Sequence, residues 1–230
     1  MKRKILACTL AMALLVLTGC SNSKTEPSQD TTPDTNAPAE TPAAEGKTIS
    51  PLPTGIDPAH LEDCTVAMSF EQGDAYVDDT GAMQLKVKVY AYDLYDMVDV
   101  SALQVGDKIT FCQEDVEVTS LEQTDDGTVV INGGLENGGI DLISDDSTTF
   151  YAGGFNDLKQ YYELGEATVP VSADAFTFVD SSDPANGPAT YSADDLLAED
   201  SGFAYNFTPN NTTLTVQGGY AVHLERVYNP

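Results

Sequence analysis

The sequence predicts an all-β domain, mostly antiparallel, that forms a sandwich or a barrel with one short helix. Apolar and polar residues alternate along many short segments, which is the pattern of strands with one buried face. Turn-forming pairs such as Asp-Gly and Gly-Gly separate these segments. Helical periodicity is scarce in the same part of the chain. Together these observations favour short strands joined by tight turns.

The strand pattern is clearest near the start of the domain. Residues 64–70 read CTVAMSF, and residues 82–92 read AMQLKVKVYAY. In the second segment, Lys86 and Lys88 share one face, whereas the apolar residues before Tyr90 share the other. We therefore expect two strands here, each with its apolar residues on one face.

The remaining chain predicts more strands and one helix. Residues 158–164 (LKQYYEL) are compatible with either helix or strand. Asp126-Gly127 and Gly218-Gly219 predict hairpin turns, the second within the alternating segment 212–228. Ser192 is a candidate N-cap of the short helix, because acidic residues follow it in the first turn. Other expected strands lie at residues 107–111, 116–123, 128–132, 139–143, 147–152, 167–171 and 175–179.

The first twenty residues have a different character. Lys2, Arg3 and Lys4 precede an apolar stretch, residues 5–17, which is shorter than the roughly 20 residues of a membrane-spanning helix. A basic start, a short apolar run and small residues after it are typical of a secretory signal peptide.

The end of this segment, LTGC at residues 17–20, resembles the lipobox of bacterial lipoproteins. The resemblance implies that the chain is cut after residue 19 and that Cys20 carries a lipid anchor, which makes the membrane a partner. Two acyl chains are enough for stable attachment, whereas a single chain is marginal. The expected location is the cell membrane, facing outward, and the long segment that follows favours a Gram-positive surface.

Residues 20–53 are expected to form a disordered tether that starts at the lipidated Cys20. Pro, Thr, Ser, Ala, Asp and Glu dominate, and Ile49 and Leu52 are the only large apolar residues. Such a segment buries too little apolar surface to offset its ordering entropy. Residues 54–230 have the length of one domain. The predicted organisation is a signal peptide (1–19), a tether (20–53) and an acidic extracytoplasmic β domain (54–230).

The chain is strongly acidic, with a formal net charge of −27 at pH 7. Such a surface repels phosphate backbones, so nucleic acid is excluded as a partner. The acidity suits cations, cationic peptides or neutral glycans, and it also serves solubility outside the cell.

Two groups of residues are candidates for a disulfide or a metal site. Cys64 and Cys112 either pair, which is chemically allowed outside the cell, or remain separate thiols. The acidic loop at residues 180–187 (DSSDPANG) offers oxygen ligands for calcium from Asp180, Asp183 and Asn186, although the spacing is not that of an EF-hand. The alternative for this loop is ordinary turn chemistry.

Three tyrosines are candidate ligand contacts. Tyr90 and Tyr92 lie opposite the apolar face of the strand at 82–92, and Tyr95 follows closely. Exposed tyrosine rings would stack on sugars. The alternative is that both faces of the strand are buried.

No residue pattern specifies a catalytic site. The motifs HExxH and GxSxG are absent, and carboxylates are too numerous for one pair to be chosen. We therefore expect a non-catalytic binding or interaction module at the cell envelope, with an envelope glycan or a protein as partner. The alternatives are an envelope or glycan hydrolase that uses a carboxylate pair, and a structural accessory lipoprotein.

Overall fold

One curved sheet of eight strands forms the body of the domain, and a smaller lobe is inserted within it. The computed structural model describes residues 46–144, 146 and 148–229. The predicted signal peptide, the lipidation site at Cys20 and most of the predicted tether lie outside the described residues.

The described residues form many short strands, two short α-helices and two single-turn 3-10 helices at Leu135–Asn137 and Phe155–Asp157. In order, the strands and α-helices are β1 (Thr48–Ile49), β2 (Cys64–Ser69), β3 (Ala75–Val77), β4 (Met83–Tyr92), β5 (Leu94–Asp96), α1 (Met97–Ser101), β6 (Lys108–Phe111), β7 (Glu114–Glu117), β8 (Leu121–Gln123), β9 (Val129–Ile131), β10 (Ile140–Ser144), β11 (Thr149–Gly153), β12 (Tyr161–Pro170), β13 (Thr177–Ser181), β14 (Ala189–Tyr191), α2 (Ala193–Leu197), β15 (Thr212–Gln217) and β16 (Tyr220–Val227).

The strands of the main sheet lie in the order β12-β4-β2-β15-β16-β13-β14, and β3 pairs beside the start of β4. Neighbours are antiparallel, except that β13 runs parallel to β16. A bridge between Val171 and Ala221 brings the end of β12 towards the start of β16. The sheet therefore curls into a half-barrel.

Alternation along the central strands determines the main core. Every second residue of β4, from Met83 to Ala91, is buried, whereas Lys86 and Lys88 between them are exposed. The buried face is covered in part by α2, whose Leu196 belongs to the same apolar cluster. One buried face per strand follows directly from the two-residue period of strand side chains.

The lobe, residues 94–160, has a core of its own. It contains a five-stranded sheet in the order β5-β11-β10-β9-β8 and a three-stranded sheet in the order β1-β6-β7, to which β1 is added from residues 48–49 outside this range. Ile109, Ile131 and Leu142 are fully buried in its core. Because β4 leads into β5 and the chain returns from β11 into β12, the lobe joins the main sheet through two neighbouring strands.

The all-β prediction is confirmed. The predicted turns at Asp126-Gly127 and Gly218-Gly219 join β8 to β9 and β15 to β16. The short helix α2 follows Ser192, which forms a capping box with Asp195. The ambiguous segment 158–164 leads into strand β12. The sequence pattern does not predict α1, a five-residue helix that is capped by Asp96.

The domain begins earlier than composition predicts. Residues 46–53, assigned to the tether, are part of the domain, because β1 pairs in parallel with β6 and the Ile49 side chain is buried in the lobe core. The Lys47 amide also donates a hydrogen bond of 2.9 Å to Asp107. The physical reason is that a short polar segment is ordered once its few apolar side chains have a core to enter.

A buried ion pair joins β13 to β16. Asp180 and Arg226 are direct neighbours in the register of these strands. The Arg226 side chain is 2% exposed, and its guanidinium donates to both carboxylate oxygens of Asp180, to the Asn206 side chain and to the Ala204 carbonyl. It also lies 4.6 Å from the ring centre of Phe207. A charge at this depth is tolerated because its donors have partners.

Candidate binding groove

A groove opens on the outer face of the main sheet, where the lobe begins. Its volume is about 280 Å³, and its lining comes from β2, β4, β12, β15 and residues 52–56, which we call the strap. The strap lies between β1 and β2 in the chain. Its first residue, Leu52, donates a backbone hydrogen bond of 2.6 Å to the Leu94 carbonyl. The strap therefore forms one wall of the groove, and the sheet forms the floor.

The groove exists because two neighbouring strands separate. The ladder between β2 and β4 ends at the pair Ala67–Tyr90, although β2 extends back to Cys64 and β4 continues to Tyr92. Beyond this pair, β2 stays with β15, whereas β4 stays with β12 and leads into the lobe. A short gap therefore opens between β2 and β4, and the strap borders it.

The lining of the groove is uncharged. None of the described residues that line it is Asp, Glu, Lys, Arg or His, in a chain in which 20% of the residues are charged. Three threonines and three tyrosines supply hydroxyl groups, and Leu52, Ile56 and Leu94 supply apolar contacts. The surface thus offers ring faces and neutral hydrogen-bonding groups without an ionic contact.

Three tyrosines form the aromatic part of the groove. Tyr90 and Tyr92 share the outer face of β4, about 7 Å apart by strand geometry. Tyr161 on β12 is the cross-strand partner of Tyr92, and the two ring centres are 5.2 Å apart at an interplanar angle of 73°. The Lys159 Nζ lies 4.4 Å from the centre of the Tyr92 ring. The Tyr90 and Ser69 hydroxyls are hydrogen-bonded at 3.0 Å. These contacts fix the orientation of Tyr90 and Tyr92.

Tyr95 lies outside the groove. Because side chains on a strand alternate between faces, Tyr95 is expected on the face opposite to that of Tyr90 and Tyr92. Its side chain is 0% exposed in the lobe core. Its hydroxyl donates to the Thr110 carbonyl at 2.8 Å. Burial, followed by the nearby Asp93 carboxylate, raises the pKa of Tyr95. The structure therefore places two of the three candidate tyrosines in the groove and the third in a core.

Asp93 lies where β4 passes into β5, between two groove residues in sequence. It is 2% exposed, and its Oδ2 accepts a hydrogen bond of 2.7 Å from the Cys112 amide. Its Oδ1 has no hydrogen-bond partner among the described residues. Burial, followed by the Asp93 carboxylate, raises the pKa of Cys112 to about 11 and that of Tyr162 to about 12. Asp93 thus ties the β6–β7 turn to the junction of lobe and main sheet.

The two candidate disulfide cysteines are separate thiols in the structure. Cys64 begins β2 and packs against the main core. Cys112 occupies the turn between β6 and β7, with a positive φ of 47°. The sequence leaves pairing and separate thiols open, and the structure holds the separate form.

The candidate calcium residues make internal contacts. Both carboxylate oxygens of Asp180 accept hydrogen bonds from Arg226. Asp183 accepts one of 2.7 Å from the Asn186 side chain, and hydrogen bonds from Ala185 and Asn186 lower the pKa of Asp183. The described part of the chain holds no group of three or more His, Cys, Asp or Glu side chains placed for a metal ion. These contacts are those of an ordinary turn, and a calcium site here stays a prediction.

Sequence reasoning missed the strap and Tyr161 as groove residues. Leu52 carried a signal, because it is one of only two large apolar residues in an otherwise polar segment. Tyr161 carried none, because its place beside Tyr92 depends on the pairing of β4 with a strand some seventy residues later in the chain.

The chain matches no family model, no curated protein and no solved structure. Among the helices of the described residues, none combines the length and the apolar character needed to cross a membrane.

Proposed function

We propose that the protein is a lipid-anchored lipoprotein on the outer face of a bacterial cell membrane, and that its β domain is a non-catalytic binding module of the envelope. One observation carries the second part, namely the uncharged aromatic groove between β2 and β4. A concave site with apolar walls and a few fixed polar groups is the usual form of a ligand site. The resemblance at residues 17–20 supports the first part.

The chemistry of the groove supports binding rather than hydrolysis. A glycosidase requires two carboxyl groups that flank the scissile bond, and a nucleophilic site requires a base beside the nucleophile. The described lining contains neither a carboxylate nor a histidine. His60 pairs with Asp57 on the surface, and His223 lies on β16. The groove is thus equipped to hold a ligand, and its described lining lacks both the carboxylate pair of a glycosidase and a histidine base.

Cys20→Ser is expected to release the protein from the membrane. A diacylated cysteine supplies the whole anchor, since each buried methylene contributes about 0.8 kcal/mol and serine accepts no thioether-linked lipid. We expect the variant in the soluble fraction without palmitate label, and the wild type in the membrane fraction with label. Cys64→Ser is the matched control and is expected to stay in the membrane with label. Retention and labelling of the Cys20→Ser protein would contradict lipid anchoring at this residue.

Groove variants are expected to lose binding to cell envelopes. The assay uses the mature chain with Cys20→Ser, which needs no detergent, and measures sedimentation with purified envelopes. Tyr92→Ala removes a ring from the centre of the groove, so the dissociation constant is expected to rise about tenfold or more. Thr213→Arg adds bulk and charge on the outer face without removing a core side chain.

The matched control is Tyr220→Ala, which removes an exposed tyrosine that is not part of the groove lining. Its affinity for envelopes is expected to equal that of the unsubstituted protein. If all three variants bind envelopes equally well, the groove is not the binding site.

A further inference from the structure

We propose that the groove binds a neutral glycan, an uncharged polysaccharide chain of the cell envelope, with sugar rings placed against Tyr92 and Tyr161. This inference rests on the proposed function and names the ligand class of the same site.

Charge is the first argument. The groove lining carries no charged side chain, and the Lys159 ammonium beside it is already engaged with the ring and the hydroxyl of Tyr92. An ionic group of a ligand would therefore be desolvated there against a cation that already has partners. Beyond the groove on the same sheet face, Lys86 and Lys88 pair with Glu166 and Glu163 at 2.9 Å and 3.3 Å. These lysines are therefore already neutralised, and the net charge of −27 repels a polyanion as a whole. The surface thus selects against anionic glycans.

The combination of groups is the second argument. A sugar ring has an apolar C–H face and a rim of hydroxyl groups, so it needs an aromatic surface and neutral hydrogen-bonding partners together. The groove supplies both, with two rings at 73° to each other and hydroxyl groups of Thr54, Thr65 and Thr213 around them. The Lys159 ammonium lies over the Tyr92 ring and donates to its hydroxyl at 3.1 Å, which holds the ring in place. A ring held before binding costs less entropy when a ligand arrives.

Backbone geometry is the third argument, and it disfavours an extended peptide. A peptide that adds to a sheet pairs along an exposed edge strand. β2, β4 and β15 are interior strands, and the stretch that lacks β2–β4 pairing is limited to residues 64–66 of β2 and residues 91–92 of β4. The strap borders this stretch as well. Recognition in the groove must therefore come mainly from side chains.

The size of the groove is the fourth argument. Its volume of about 280 Å³ lies just below the roughly 300 Å³ at which ligand sites usually begin. A site of this size holds one or two rings of a chain that continues into solvent at the open side. The groove therefore suits an internal segment or an end of a polysaccharide.

The test uses the mature Cys20→Ser protein and purified envelopes divided into three portions. One portion is treated with periodate, which cleaves vicinal diols of sugars, one with proteinase K, and one is left untreated. We expect periodate to reduce binding at least tenfold and proteinase K to leave it within twofold. Binding that survives periodate and is lost after proteinase K would overturn the glycan assignment, while leaving the proposed binding function in place.

A competition experiment tests whether the bound glycan is neutral. Polysaccharide released from the envelopes is separated on an anion exchanger into a neutral and an anionic fraction. The neutral fraction is expected to displace the protein, and Tyr92→Ala to raise the dissociation constant for this fraction about tenfold. Tyr92→Phe, which keeps the ring but loses the hydroxyl that Lys159 contacts, is expected to lose less affinity than Tyr92→Ala. Tyr220→Ala, outside the groove lining, is expected to stay within about threefold of the wild type. Competition by the anionic fraction alone, or by a decamer of proline, would overturn the proposal. Groove-independent envelope binding, by contrast, would refute the proposed function itself.

Discussion

Arg226→Met is expected to lower the free energy of unfolding by about 3–5 kcal/mol, because it leaves the Asp180 carboxylate in the interior without its partner. The guanidinium has no access to solvent that could replace its contacts, since its side chain is 2% exposed and bonds to Asp180, Asn206 and Ala204. Methionine is similar in length and apolar, so it fills much of the space between Phe178 and Phe207. The measurement is urea unfolding of the wild type and the variant at pH 7.

The matched control for this prediction is Lys86→Met. Lys86 pairs with Glu166 at 2.9 Å, but both side chains are about half exposed. Exposed pairs contribute about 0–1 kcal/mol, so this change is expected to be close to neutral. The double variant Asp180→Leu with Arg226→Met removes both charges and is expected to recover part of the loss. Equal effects of Lys86→Met and Arg226→Met would mean that burial of the Asp180 pair does not matter.

The Asp180–Arg226 pair also predicts the direction in which stability changes with pH. Burial raises the pKa of Asp180, but hydrogen bonds from Arg226 and Ser182 and the Arg226 charge lower it by more, so the pKa lies below 3.8. A group whose folded pKa is depressed stabilises the fold above its unfolded pKa and loses this contribution as pH falls through the folded value. In the variant, burial without a partner raises the pKa of Asp180, so this carboxylate takes up a proton at a higher pH than the paired Asp180 of the wild type. The stability gap between wild type and Arg226→Met is therefore expected to be full at pH 7 and to shrink progressively as the pH falls.

Phe178→Ala is expected to cost about 3–5 kcal/mol of stability, as is usual for removal of a buried phenylalanine ring. Phe178 is 0% exposed, and its ring centre lies 5.1 Å from that of Phe203 and 5.3 Å from that of Tyr191. Removal of the ring leaves a cavity inside an aromatic cluster that includes Phe207. Urea unfolding followed by tyrosine fluorescence, the main intrinsic signal in a chain without tryptophan, measures the change.

Phe155→Ala is the control of identical chemistry. Phe155 lies at the turn between β11 and β12 and is 81% exposed, so its removal is expected to change stability by less than about 0.5 kcal/mol. Because Phe178 and Arg226 are in contact, with the guanidinium carbon 5.6 Å from the ring centre, their effects are not expected to add. A Phe178→Ala protein as stable as Phe155→Ala would show that the main core lies elsewhere.

Local sequence periodicity was enough to predict most of the longer strands and several turns. It missed the short strands β1, β3, β5 and β14, and the strand expected at residues 116–123 is divided between β7 and β8. The alternation along β4 places Lys86 and Lys88 outside, as the structure shows, because side chains on a strand alternate with a fixed period. Gly218-Gly219 forms its hairpin because the turn chemistry is local. Ser192 caps α2 for the same reason. These three features are decided within about ten residues, which is why the sequence alone could indicate them, although the equally local helix α1 gave no such signal.

The groove and the start of the domain depend on distant contacts and could only be inferred in part. The two-residue period of a strand predicts that Tyr90 and Tyr92 share a face and that Tyr95 lies on the other face. In the structure, Tyr95 is buried in the lobe core. Nothing local shows that β2 and β4 separate after the pair Ala67–Tyr90. The early start at β1 depends on pairing with β6, about sixty residues away. From composition alone, residues 46–53 are assigned to a linker. Composition does not show that a single apolar side chain, Ile49, enters the lobe core.

The route by which the chain enters the domain has a mechanical consequence. Residues 46–49 are held by two-residue parallel pairing of β1 with β6 and by Asp107, and the strap follows directly, fixed by the bond from Leu52 to the Leu94 carbonyl. Tension applied at the N-terminal side therefore loads β1 in shear and then the strap, which is a wall of the groove. A ligand bound in the groove would therefore experience this tension before the main core or the lobe core does. The groove and residue 46, the first described residue, thus lie in series along the backbone, so that a force applied at residue 46 reaches the groove wall directly.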